Sequence, residues 1–221
     1  GRNAPALIAE HYGPYPDDRL LPLLSENNLF HQLIARGKRA AFANAYPDIF
    51  FQRMARGTDR RSAVSQSVGA AGVPYRTEAD LLAGRAVSAS LTNERWPSHD
   101  GTVQHITPLE AGRNLSRLSR DFDLTLFEFF LTDVAGHRPA RLSAVTILER
   151  LDEFLGGILA EFDERESLLL MTSDHGNIED GETRRHTRNP VPALIVGARR
   201  HELAARLRTL VDVTPGLVAL L

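Results

Sequence analysis

The sequence predicts an α/β fold: a three-layer sandwich with a mostly parallel central sheet and helices on both faces. Three observations carry that prediction. Helical patterns alternate with short apolar runs along most of the chain. Residues 124–131 (LTLFEFFL) are almost continuously apolar, as in a strand covered on both faces. Ala144, Ile147, Leu148, Leu151, Phe154, Leu155, Ile158, Leu159 and Phe162 then recur at helical spacing, with Glu149, Arg150, Asp152, Glu153 and Glu161 opposite. A second apolar run at 167–171 follows, so 124–172 reads as a β–α–β unit.

The remaining elements follow in order. Residues 1–24 hold Pro5, Pro14, Pro16 and Pro22 and read as irregular. A helix is expected from about Asn28, with Leu29, Phe30, Leu33 and Ile34 on one face and Gly37 just past its end. Residues 40–45 form a short strand candidate. Thr77 and Thr107 open helices; the second has proline at the first helical position and Glu110 three residues after the threonine, and should run to about Ser119. Residues 193–196 are a third strand, and Thr214-Pro215 opens a terminal helix. Residues 88–106 show no period and contain Trp96-Pro97, a candidate lid within a single domain spanning 1–221.

Composition narrows the function. The 221 residues are 43% hydrophobic and 24% charged, which excludes disorder, collagen and coiled coil. The absence of cysteine excludes disulfides, thiolate metal sites and a thiol nucleophile. A net charge of −2 gives no basic field for nucleic acid, and no apolar run approaches the ~20 residues of a membrane helix. The expectation is therefore a cytoplasmic protein with neither nucleic acid nor membrane as partner. Lys38 is the only lysine among 26 basic residues; so strong an arginine bias reflects genome composition more than chemistry. The chain starts at Gly1 and its only methionines are Met54 and Met171, so residues are expected to precede Gly1.

Carboxylates and imidazoles concentrate in three segments. Asp133 and His137 follow the apolar run at 124–131. Asp174 and His175 follow the run at 167–171. His186 precedes the strand at 193–196. In an open α/β sheet, ligands bind beyond the carboxyl ends of strands. His186 reaches that edge if its strand runs antiparallel or if the loop 176–190 folds back. Oxygen and imidazole nitrogen without sulfur suit zinc or manganese. Five such groups exceed what one ion with an open position needs, so the set points to two divalent ions, which together can clamp a phosphoryl displacement. Neither an Asp-His dipeptide nor an aspartate four residues before a histidine is specific alone; what supports a metal site is all three segments lying at strand ends of one expected sheet.

Ser173-Asp174-His175-Gly176-Asn177, His186-Thr187 and Pro190-Val191-Pro192, with Asp133, Gly136-His137 and Asp212-Val213-Thr214-Pro215, resemble the signature of the alkaline phosphatase superfamily. The set is most similar to cofactor-independent phosphoglycerate mutase and its small metalloenzyme relatives, and it lies within 124–221. The resemblance implies an alkaline phosphatase-like fold and phosphoryl transfer on a small phosphorylated substrate, as a phosphatase or a phosphomutase. It implies that Asp133, His137 and His186 hold one ion and that Asp174 and His175 hold the other. An upstream aspartate and a serine or threonine nucleophile would complete the second position, both falling before Gly1, which leaves this chain impaired as an enzyme. Sulfatases and phosphonate hydrolases share these ligands and are alternatives within the class. A non-catalytic binding or scaffold protein that retains the fold is the rival outside it.

Arg184 and Arg188, with Arg185, flank His186 and are weaker candidates for holding substrate phosphate. Glu179 and Asp180 could orient a ligand histidine. His99 and His105 lie in the candidate lid, and His11, His31 and His201 belong to no motif. No G-x-S-x-G elbow or P-loop is present.

Overall fold

A computed structural model describes residues 1–9, 15–97, 101–139 and 142–221. His11 and His99 lie outside the described residues. The chain divides into two compact units, one of 1–86, 118–128 and 207–221 and the other of 87–117 and 129–206.

The first unit contains α1 (Ala4–Ile8), α2 (Leu21–Glu26), α3 (Leu29–Ile34), β1 (Ala40–Phe42), α4 (Asp48–Ala55), α5 (Ala63–Ala70) and α6 (Glu78–Leu82). It also holds β2 (Leu124–Leu126) and, after a 3₁₀ turn, the closing helix α11 (Val213–Leu220). Asn28 caps α3 through the His31 amide, and Gly37, at φ +74°, lets Lys38 return a hydrogen bond to Leu33. Thr77 and Asp80 form a reciprocal capping box on α6. β1 pairs in parallel with β2, Ala40 opposite Leu124 and Phe42 opposite Leu126. Phe30, Phe42, Val68 and Val73 are buried as one cluster over that pair.

The strand expected over 124–131 is only three residues long, because a side chain ends it. The Ala43 amide still donates to Leu126, but the Asn44 amide then both donates to the Glu128 carbonyl and accepts from its N–H, each at 2.8 Å. A side-chain amide occupies the place a neighbouring strand would take, and the ladder stops. The strand candidate at 40–45 likewise shortens to 40–42.

The second unit holds most of α7 (Pro108–Ser119), then α8 (Leu131–His137), α9 (Ala144–Ala160), β3 (Leu168–Thr172), β4 (Ala193–Gly197) and α10 (Arg200–Arg206). Thr107 caps α7 and Ser143 caps α9. Among the described residues the expected β–α–β unit does not form as a pair in one sheet: β2 pairs with β1, whereas β3 pairs antiparallel with β4, Thr172 opposite Ala193. The α/β class and the helix–strand alternation hold, with one small parallel pair. β3 and β4 are only partly buried; among the described residues each has one strand partner and so one open edge. Leu131, Ala135 and Ile147 form the core that presses α8 onto α9.

The described part of 88–106 folds on itself. Ser88, Ser90, Leu91, Asn93 and Val103 are buried, and Asn93 Nδ2 donates to the Gln104 carbonyl. Glu94 accepts from both terminal nitrogens of Arg150 on α9, at 2.7 and 3.1 Å. No helix among the described residues is long and apolar enough to cross a membrane.

Candidate metal centre

Two local structures build the site, both within the second unit. Asp133 and His137 sit on α8 rather than in the strand-end loop the sequence predicts. Four residues apart on a helix, they share a face, opposite the one that Leu131 and Ala135 bury. Asp174 and His175 follow the last residue of β3. His186 reaches them in both of the ways considered. Because β4 runs antiparallel to β3, the residues before β4 lie at the end of the sheet where β3 stops. The intervening loop also folds back, with the Thr187 amide donating to the Gly176 carbonyl at 2.9 Å.

The result is a carboxylate ringed by imidazoles. Asp133 Oδ1 lies 3.3 Å from His137 Nε2, 3.3 Å from His186 Nε2 and 3.7 Å from His175 Nε2. The Nε2 atoms of His137 and His186 are 3.0 Å apart, and the rings of His175 and His186 stack with centroids at 3.6 Å. Asp174 stands at the rim, its side chain 89% exposed and Oδ1 3.6 Å from His175 Nε2.

These contacts fit a divalent cation on two grounds. The first is proton placement. His137 Nδ1 is 2.6 Å from the Arg184 carbonyl oxygen and His175 Nδ1 is 3.3 Å from that of Gly176. A carbonyl only accepts, so in a neutral ring each Nδ1 carries the hydrogen and each Nε2 presents a lone pair toward the Asp133 carboxylate. Lone pairs converging on a carboxylate repel unless a positive charge sits among them. The second ground is spacing. Ligand bonds of ~2.0 Å at tetrahedral angles put ligand atoms about 3.3 Å apart. The Asp133–His137–His186 triangle has sides of 3.3, 3.3 and 3.0 Å. Asp133, His175 and His186 form an overlapping set, with ligand atoms within 4.8 Å of one another.

A frame of hydrogen bonds holds these candidate ligands. Asn177 is buried, and its Nδ2 donates to Asp133 Oδ1 at 2.8 Å. Glu179 accepts from the Asn177 backbone N–H through Oε2 at 2.6 Å, and through Oε1 from Thr187 Oγ1 and from Asn189 Nδ2. The Thr187 hydroxyl, foremost among these donors, holds the Glu179 carboxyl down at about 2. Ser173 Oγ donates to the His175 carbonyl and shapes the turn. Asn177, Thr187 and Asn189 carry no role in the sequence reading, although Asn177 closes the S-D-H-G-N motif itself. Arg184, Arg185 and Arg188 have exposed side chains, and Arg184 contributes its carbonyl rather than its guanidinium. His31, His105 and His201 are not among the clustered groups; His31 belongs to α3 and His105 and His201 are exposed.

The chain is 35% identical over 113 residues to the 2,3-bisphosphoglycerate-independent phosphoglycerate mutase of Moorella thermoacetica, a match covering 48% of this chain and 22% of that enzyme. It is 40% identical over 86 residues to the enzyme of the same name from Rhodopseudomonas palustris, covering 36% and 17%. The chain thus spans about a fifth of the length of these relatives. Among solved structures it is similar to the PH0037 protein from Pyrococcus horikoshii, with a TM-score of 0.48 and 22% identity over 74% of this chain and 39% of that one. The profile of the Metalloenzyme superfamily matches residues 79–221, which include every residue of the cluster. The chain belongs to the Metalloenzyme superfamily, the alkaline phosphatase-like group that includes the cofactor-independent phosphoglycerate mutases.

Proposed function

We propose that this chain provides the metal-binding part of a phosphoryl-transfer centre that acts on a small phosphate ester. The observation that carries the reading is the Asp133–His137–His186 triangle, whose sides match the ligand spacing of a four-coordinate divalent ion. These three residues would hold one ion, manganese or zinc, and Asp174 with His175 would begin a second position. When bound, such ions stabilise the charge that develops on phosphoryl oxygens.

The chain's own groups do the rest. Asp133 balances the positive charge from a position shared by three rings. The carbonyls of Arg184 and Gly176 hold the hydrogens of His137 and His175 on Nδ1, so each Nε2 stays available as a donor of electrons. Asp174, at the rim, leaves one side open to an incoming ester. The Arg184 and Arg188 guanidiniums, exposed on either side of His186, would take the remaining phosphate oxygens. The nucleophilic hydroxyl would be the one that the resemblance implies on a segment upstream of Gly1; the hydroxyls of Ser173 and Thr187 are engaged by a carbonyl and a carboxylate. The relatives' name, phosphoglycerate mutase, favours a phosphate ester over a sulfate or phosphonate. Both hydrolysis and intramolecular transfer are open to such a centre.

The test measures metal content and p-nitrophenyl phosphate turnover for this chain and for the gene product extended upstream. The expected result is about one ion and slow turnover for this chain, and two ions with faster turnover for the longer one. Two tight ions and equal rates would overturn the division between the segments. If neither form binds metal, a non-catalytic scaffold replaces the enzyme.

A further inference from the structure

We infer that Asn177 and Glu179 are positioning residues for the metal centre: the Asn177 amide aims Asp133, and the Glu179 carboxylate fastens the turn bearing Asp174 and His175 to the segment bearing His186. The inference rests on the metal-binding reading above and assigns roles to residues outside the ligand set.

The orientation of the Asn177 amide is dictated by chemistry. Asp133 Oδ1 and the Asp133 carbonyl both accept, at 2.8 and 3.4 Å, so only Nδ2 can face them. Asn177 Oδ1 is then turned away, buried and without a hydrogen-bond partner among the described residues. A buried acceptor left unpaired is normally selected against. Here it accompanies a donor fixed on the one carboxylate oxygen that three imidazoles face.

Gly136 shows how closely this amide is seated. A Cβ at position 136 would overlap Asn177 Oδ1 on the neighbouring segment. The glycine between Asp133 and His137 is thus a space kept for Asn177, rather than a requirement of the helix. Gly176 is constrained in the same manner by Thr187 Oγ1 and Glu179 Oε1. Glu179 in turn holds both arms of the loop: Oε2 accepts from the Asn177 backbone N–H, and Oε1 accepts from the Thr187 hydroxyl, adjacent to His186, and from Asn189 Nδ2. The chain of contacts runs from Asp133 through Asn177 and Glu179 to the neighbour of His186, without any ligand in between.

The test titrates Mn²⁺ or Zn²⁺ alone into the metal-free chain by calorimetry and records the metal-free melting temperature beside it. Asn177→Leu fills the volume without the donor, and Asn177→Ala removes both. Each is expected to weaken metal binding by at least ~10-fold, the scale seen when a group supporting a metal ligand is removed. The Leu variant should melt near the parent temperature, which a merely structural role would not predict. Glu179→Gln keeps one accepting oxygen and should lose less affinity than Glu179→Ala. Gly136→Ala should weaken binding in the parent but add little in the Asn177→Ala background, where the overlap has gone. Affinity unchanged in both Asn177 variants, with the parent binding metal, overturns the inference and leaves the metal reading intact. Additive losses from Gly136→Ala and Asn177→Ala overturn the link between them. A parent chain that binds no metal removes the metal reading itself and this inference with it.

Discussion

Asp133 is the residue on which the site turns, because one oxygen atom faces three ring nitrogens and a buried amide. Asp133→Asn keeps its shape and can still accept from Asn177, so the chain should fold. The charge that offsets a divalent ion is lost. Metal affinity measured by titration should fall by more than the ~10–100-fold typical of a supporting residue; a smaller loss would move the centre of the site elsewhere. Glu179 makes a separate prediction about pH. Its carboxyl is held at about 2, against an ordinary 4.5, first by the Thr187 hydroxyl. A depressed acid favours the fold above its unfolded value, and the contribution drains away as pH falls from 4.5 toward 2. Melting temperature against pH should therefore drop less steeply across that window in Glu179→Gln than in the parent.

At the scale of elements, α7 and α9 approach through glycine. A Cβ on Gly112 would run into the Phe154 carbonyl and sit 2.8 Å from the Ile158 nitrogen, and one on Gly157 would run into the Leu109 carbonyl. Backbone cannot yield as a flexible side chain can. Gly156, next in sequence, meets only Leu109 Cδ1 at 3.8 Å, an ordinary contact. The same substitution should have opposite signs at adjacent positions. Gly156→Ala should stabilise by up to ~1 kcal/mol through helix propensity. Gly157→Ala should destabilise by about 1–3 kcal/mol through overpacking. Paired urea melts of the two variants check this, and equal signs would refute the close approach. Neither glycine stands out in a sequence where both fall in one helical run.

Across the whole chain, every candidate ligand falls in the unit of 87–117 and 129–206. Metal at about 100 times its dissociation constant should stabilise the binding-competent fold by ~2.7 kcal/mol. Amide exchange governed by opening of that unit should then slow by about 100-fold. Protection is expected in peptides covering 131–137 and 173–189, with peptides from 40–86 unchanged. Equal protection in both units would show that the two open as one.

The sequence alone determined three helix starts and the chemistry, whereas residues 1–24, read as irregular, hold α1 and most of α2. Asn28, Thr77 and Thr107 cap helices because a short polar side chain meets free amides locally, and no distant residue is required. Likewise, carboxylates and imidazoles placed just after or before apolar runs marked Asp133, His137, Asp174, His175 and His186 as candidates. What the sequence could not determine depended on partners remote along the chain. The run at 124–131 is apolar enough for a long strand, yet Asn44, more than eighty positions away, ends it after three residues. Asp133 and His137 lie on a helix that begins beyond that strand. Pairing direction is equally remote: apolar composition is the same for either sense, and the antiparallel partnership of β3 with β4, together with the folded-back loop, brings His186 to Asp133. Gly136 and Asn177 have meaning only together, since the one is the empty space that the other fills.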